Sequence, residues 1–165
     1  MTTNRNDMSL PRGLYAITDT GLIPDSRLIP TVEEALLGGA RLVQFRDKRM
    51  AYPHRRELAE ALNELCLRHR VPLIINDDIA LAALVGAAGV HLGEDDPNPH
   101  QARRRLGSTA VIGVSCYNQL ERARRLTALG ADYLAFGSVY PSPTKPAARR
   151  ADLQLLAMAR RELEL

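Results

Sequence analysis

The chain has 165 residues, enough for one domain with a real core and marginal for two. Hydrophobic residues make up 45% of it and charged residues 25%, an ordinary globular mixture, and no stretch approaches the roughly 18 consecutive apolar residues that a membrane span needs. Its 22 basic and 19 acidic residues leave a formal charge of only +3, and no aromatic residues interleave with the arginine groups at 103–105, 124–125, 149–150 and 160–161, so these read as solvated helix faces rather than a nucleic-acid surface.

Residues 1–10 are polar, lack the apolar core of a secretory signal, and are expected to form a disordered lead to a domain over 11–165. A first short strand is predicted from Gly13 to about Thr18, and a helix over about 31–38. Then a phrase recurs: Gly39 to Arg46, Ala87 to Gly93 and Gly130 to Gly137 each run from a small-residue turn through a short apolar strand to a polar or glycine stop. Val71 to Asn76 and Thr109 to Ser115 supply two more strands, all nearly continuous apolar runs of the kind buried on both faces of a parallel sheet. Between them, residues 53–69 carry Leu58, Ala61, Leu62, Leu65 and Cys66 at helical spacing. Pro53 suits the first turn of that helix and Arg68, His69 and Arg70 its last. Further helices are predicted at 79–85, 98–106, 119–129 (closed by Gly130) and 151–162. Cys66 and Cys116 lack metal-binding or disulfide spacing and read as packing residues of a reducing compartment.

Six strands alternating with six helices fit either a doubly wound sheet or a (β/α)8 barrel. No Gly-x-Gly-x-x-Gly turn follows the first strand, and polar residues gather at the C-terminal ends of the strands, which favours the barrel habit. Six units are two short of eight, so the fold class is α/β, of the TIM (β/α)8-barrel family, with only about six units present.

The chemistry is concentrated in four strand-end clusters: Gln44-Phe45-Arg46-Asp47-Lys48, Asn76-Asp77-Asp78, His91 to Asp96, and Gly137 to Lys145. Strand alternation sets Gln44, Arg46 and Lys48 on one side. Asp77 and Asp96, from neighbouring strand ends, offer two hard oxygen ligands for one Mg²⁺. Arg46, Lys48 and Lys145 can neutralise phosphate oxygens, with hydroxyls from Ser142 and Thr144. Together these describe a Mg²⁺-diphosphate pocket. His91, inside an apolar strand, reads first as a satisfied interior histidine; Tyr15, Tyr133 and Phe136 read as packing, and Tyr117 and Asn118 as pocket border or helix cap.

At these residues the chain resembles the thiamine-phosphate synthase family, which includes the thiazole tautomerase. The phrases that carry the resemblance are Tyr15-Ala16-Ile17-Thr18-Asp19, Gln44 to Lys48, Ile75-Asn76-Asp77-Asp78, Gly89 to Gly93, Gly113-Val114-Ser115, Gly130 to Tyr133, and Thr144-Lys145, spread over about residues 13 to 150. The resemblance implies a cytoplasmic transferase of thiamine biosynthesis. It would join 4-amino-2-methyl-5-hydroxymethylpyrimidine diphosphate to thiazole phosphate and release diphosphate. It further implies that Gln44, Arg46, Lys48 and Asn76 hold the pyrimidine diphosphate and that Asp77 and Asp96 bind Mg²⁺. Ser115 would lie at the reacting pyrimidine and diphosphate, Ser142 and Thr144 on the thiazole side, and Lys145 on the diphosphate. Arg46, Ser115 and Lys145 are thus the expected catalytic groups. Phosphorylated small molecules are the expected partners, with no nucleic acid and no membrane. A tautomerase would carry a histidine where Tyr117 stands. Glu94 and Ser142 depart from the family's usual glutamine and threonine. The family's seventh and eighth units, with a Gly-Gly loop for the thiazole phosphate, find no counterpart. A weakly active or inactive phosphate-binding partial barrel is therefore the other reading, and self-association over open barrel edges is expected.

Overall fold

The computed structural model describes residues 10–141 and 149–163. Among these, six strands alternate with six helices, and the strands follow one another in chain order from β1 to β6. A doubly wound sheet would reverse that order near its middle; this one does not. The fold is the α/β repeat of the barrel family, six units long among the described residues. The chain divides into two compact units between Leu73 and Ile74.

The first unit holds β1 (Leu14–Ile17), α1 (Asp25–Leu37), β2 (Ala40–Phe45) and α2 (Tyr52–Arg68). β1 and β2 pair in parallel, with Tyr15 opposite Leu42 and Ile17 opposite Gln44. Leu28, Val32 and Leu36 repeat every four residues and bury one stripe of α1, while α2 buries Ala59, Leu62, Leu65 and Cys66. Burial removes these side chains from water, the main favourable term in folding. α1 begins six residues before its predicted start because Pro30 lies inside it. A proline removes one backbone donor and crowds the preceding turn, so its sequence signal is a helix boundary. Here the buried stripe outweighs it. Leu14 and Ile17 of β1 are 61% and 55% exposed.

The second unit contains nearly all of β3 (Leu73–Asn76), then α3 (Ile79–Val85), β4 (Gly89–Leu92), α4 (Pro99–Leu106), β5 (Val111–Tyr117), α5 (Leu120–Ala128), β6 (Tyr133–Phe136) and α6 (Leu153–Glu162). Its strands are parallel, and the register sets His91 beside Gly113 and Gly113 beside Tyr133. Ile74, Ile75, Val90, Leu92, Ile112, Val114 and Cys116 are buried to 1% or less. Asp78 caps α3 by accepting from the Leu81 amide at 2.8 Å, and Asn98 and Gln101 form a reciprocal cap on α4. Gly130, with φ +92°, follows α5 in the left-handed region that favours glycine.

One arginine departs from the solvated faces expected of its group. The Arg103 side chain is only 16% exposed. Its guanidinium donates to the carbonyls of Ser108, Ala110 and Gly130 and to Asp132 Oδ2 at 2.6 Å. Asp132 also accepts the Ile112 amide at 2.7 Å. This clamp lies at the N-terminal ends of β5 and β6, away from the strand ends that carry the clusters.

Candidate functional site

In the first unit the residues singled out in the sequence lie where β1 and β2 end. Thr18 Oγ1 accepts from the Arg46 amide at 2.9 Å and donates to the Arg46 carbonyl at 3.2 Å, so both backbone groups of Arg46 are held by one buried hydroxyl. Gln44 is 3% exposed, and its Nε2 donates to the Tyr15 hydroxyl at 2.7 Å. β2 stops at Phe45, so the pleat does not reach Lys48. A turn organised by Asp47 places Lys48 instead: that carboxylate accepts from Thr20 Oγ1 at 2.7 Å and from the amides of Arg49 and Met50 at 3.1 and 3.0 Å. Burial pushes the Asp47 carboxyl up, and these hydrogen bonds outweigh it, leaving its pKa below the ordinary value. Arg46 is half-buried and Lys48 exposed.

The second unit has strand ends of its own. Asn76 closes β3, and Asp77 follows with a left-handed backbone (φ +63°) that few non-glycine residues adopt. The Asp77 amide donates to the His91 carbonyl at 2.8 Å. Asp96 Oδ2 accepts from the Gly93 amide at 2.6 Å, closing the loop after β4 on itself. Ser115 lies in β5, its carbonyl accepting from Arg122 Nε at 2.8 Å; another nitrogen of Arg122 donates to the Gly93 carbonyl at 2.8 Å. Arg122 thus ties the ends of β4 and β5 together from α5. Glu94 faces Arg149 at 2.9 Å, and that hydrogen bond holds its carboxyl below the ordinary value. The Arg149 guanidinium sits 4.9 Å over the Tyr117 ring. The extra negative charge of Glu94 is therefore compensated by an arginine.

His91 is a satisfied interior histidine, 8% exposed, but its partners are not bland packing. Its Nε2 lies 2.9 Å from Ser115 Oγ and its Nδ1 3.0 Å from the Tyr133 hydroxyl. Burial pushes its pKa down to about 4, against the opposing charge of Asp96. Asn118 does not cap α5, whose capping residue is Gln119. Ser142, Thr144 and Lys145 lie outside the described residues.

Asp77 and Asp96 follow adjacent strands and present carboxylate oxygens with no thiolate, a donor set that fits a hard cation such as Mg²⁺. Among the described residues no group of three or more His, Cys, Asp and Glu gathers, so any such ion would complete its shell with substrate oxygens and water. Among the described residues, a cavity of about 270 Å³ between the ends of β4 and β5 and the flank of α5 shares only Asp96 with the expected set. Leu92 and Val114 line it and His91 and Ser115 do not, so it is not the place where Ser115 and His91 meet.

Thr18 and Arg122 are positioning residues to which sequence reasoning gave no role, and Tyr15 and Tyr133, read as packing, hold Gln44 and His91 through their hydroxyls. The signal for Thr18 was its place at the polar end of the first apolar strand.

A parallel β/α repeat whose strands follow chain order defines the class as the α/β barrel family. The family described as thiamine monophosphate synthase matches residues 14–165. A thiamine-phosphate synthase of Nitrosococcus oceani is 52% identical over 154 residues, covering 93% of this chain and 71% of the relative. One of Thiobacillus denitrificans is 52% identical over 158 residues, covering 95% and 74%. The solved thiamine phosphate pyrophosphorylase of Pyrococcus furiosus superposes with a TM-score of 0.81 at 32% identity, over 92% of this chain and 70% of that one. The chain belongs to the thiamine monophosphate synthase family.

Proposed function

We propose that this transferase joins 4-amino-2-methyl-5-hydroxymethylpyrimidine diphosphate to thiazole phosphate, forming thiamine phosphate and releasing diphosphate. Family membership across residues 14–165, with 52% identity to thiamine-phosphate synthases over most of the chain, supports the reading. The bond from the pyrimidine methylene carbon to the diphosphate oxygen breaks, and its electron pair leaves with the diphosphate. The lone pair of the thiazole nitrogen then forms the new carbon–nitrogen bond. No protein nucleophile is needed, so the residues act by binding, orienting and stabilising charge. Arg46 and Lys48 meet the diphosphate, with Gln44 and Asn76 as amide donors and acceptors to the pyrimidine diphosphate. Lys145 adds a cation as negative charge builds on the leaving group, and Ser142 and Thr144 offer hydroxyls to the thiazole side. Ser115 donates its hydroxyl beside the reacting centre. Asp77 and Asp96 would hold Mg²⁺, whose chemistry when bound is to neutralise the leaving diphosphate.

Among the described residues no helix is long and apolar enough to cross a membrane. Phosphorylated substrates and cofactor chemistry of this kind suit the cytoplasm. The exposed Leu14 and Ile17 on β1 favour self-association through that strand, and a light-scattering mass above the monomer at micromolar concentration is the expected result.

The deciding experiment is thiamine phosphate formation from both substrates with Mg²⁺, measured for this protein. Product is expected. Mg²⁺-independent aromatisation of the thiazole carboxylate phosphate tautomer would support the tautomerase reading instead, although Tyr117 stands where that enzyme has histidine. No product and no binding of either substrate would mean an inactive barrel.

A further inference from the structure

The best-defined polar chain in the second unit runs Tyr133–His91–Ser115, and it is built by the strand register. His91, Gly113 and Tyr133 are lateral neighbours on β4, β5 and β6, and Ser115 lies two residues beyond Gly113 on the same face. Gly113 creates the room: a Cβ there would fall 1.9 Å from Tyr133 Cζ. The ring therefore lies across the glycine, with its centroid 5.6 Å from that of His91. The hydroxyl of Tyr133 reaches His91 Nδ1 at 3.0 Å, and Nε2 reaches Ser115 Oγ at 2.9 Å. Arg122 fixes the Ser115 backbone from the other side, donating to its carbonyl at 2.8 Å.

We propose that His91 is a positioning residue which, held by Tyr133, donates its Nε2 proton to Ser115 Oγ and so turns the Ser115 hydroxyl proton outward, towards an anionic ligand. A hydroxyl has one proton and two lone pairs. If Nε2 carries the proton, Ser115 accepts from the ring and its own proton is left to donate elsewhere. If Nδ1 carries it instead, Ser115 must donate inward to Nε2 and presents only lone pairs to the ligand. Diphosphate oxygens accept hydrogen bonds, so only the first polarity makes Ser115 useful to such a ligand. The Tyr133 hydroxyl, a good donor, selects it by donating to Nδ1. The same polarity at Ser115 holds for the protonated ring, so the role does not depend on the charge of His91.

This inference rests on the diphosphate ligand proposed above, and two measurements separate the failure of one from that of the other. Nitrogen-15 NMR of the histidine rings in the whole chain, with His91→Gln to assign the signal, reads the tautomer directly. Protonation at Nε2 is expected; a ring protonated only at Nδ1 overturns the proposal whether or not the chain turns over substrate. Calorimetric titration with the pyrimidine diphosphate and Mg²⁺ reads the consequence. Ser115→Ala is expected to weaken binding about tenfold or more, and His91→Leu about tenfold. His91→Gln, whose side-chain amide can still donate to Ser115, should recover most of the loss. In the Ser115→Ala background, His91→Leu should change nothing further, because its route to the ligand has been removed. A full additional tenfold loss in that background would mean that His91 acts through general packing, and would overturn the proposal. Binding by the wild type that is untouched by Ser115→Ala overturns it while leaving the proposed function standing. No binding by the wild type removes the proposed function, and the tautomer alone then decides the polarity.

Discussion

At Gly113 the absence of one carbon decides where Tyr133 can lie, because that carbon would occupy the ring. Gly113→Ala is expected to expel Tyr133 from His91 and to destabilise the chain by about 1–3 kcal/mol, the usual range for overpacking. Urea unfolding measures the loss. An unchanged midpoint would show that the ring moves aside without penalty. Asp96 carries two roles that one substitution can separate. As an acceptor for the Gly93 amide it shapes the loop after β4, and as a carboxylate it is the proposed Mg²⁺ ligand. Asp96→Asn keeps an acceptor oxygen and discards the charge. Its expected result is a nearly unchanged urea midpoint with Mg²⁺-dependent diphosphate binding weakened about tenfold or more. Equal binding by the variant would remove Asp96 from the metal assignment. Glu94, two residues past the end of β4, should not take over that role, since its carboxylate is already engaged by Arg149.

At the scale of elements, the Arg103 clamp joins the start of β5 to the start of β6 through one side chain. Arg103→Met keeps much of the aliphatic stem and loses every donor. It should cost about 2 kcal/mol in urea unfolding, the scale of hydrogen bonds made by a charged group, while leaving diphosphate binding intact. A loss of binding that exceeds the loss of stability would connect this end of the strands to the site. The elements themselves were legible where a periodic pattern met a clear boundary. α3 runs from Ile79 to Val85 as predicted, because Asp78 caps one end and Gly86, with φ +67°, closes the other. The start of α1 was illegible because Pro30 imitates a boundary. β5 extends to Tyr117, two residues past its predicted end at Ser115, and Tyr117 itself adopts a left-handed backbone. The composition of the strand ends was legible along the chain, since each polar cluster follows a short apolar run. The support of those clusters was not. Arg122 reaches back from α5 to two carbonyls, and His91 needs the register of three strands before its partners can be named. Neither relation leaves a spacing that can be read along the chain.

For the molecule as a whole, a buried polar chain ties acid stability to a single imidazole. The His91 pKa is pushed down to about 4, first by burial, with the Asp96 charge working against that shift. An unhindered histidine in the unfolded chain titrates near 6.5. Between these two values the unfolded chain takes up a proton that the folded chain refuses, so stability falls as the pH drops. The contribution is complete above pH 6.5 and is lost progressively as the pH falls towards 4, below which both states carry the proton. Across that window the loss is about 3 kcal/mol. Asp47 and Glu94, whose pKa values lie below their ordinary ones, lose their stabilising charge in a more acidic range. Urea unfolding at pH 7 and pH 4.5 should therefore show a steep decline in the wild type and a shallower one in His91→Gln, whose side chain does not titrate. A lower starting stability of the variant at pH 7 does no harm to this test, since the slope carries the result. Asp96→Asn sharpens it: removing the charge that favours the imidazolium should extend the wild-type decline to lower pH. Parallel profiles for the wild type and His91→Gln would show that the acid sensitivity comes from the carboxylates alone.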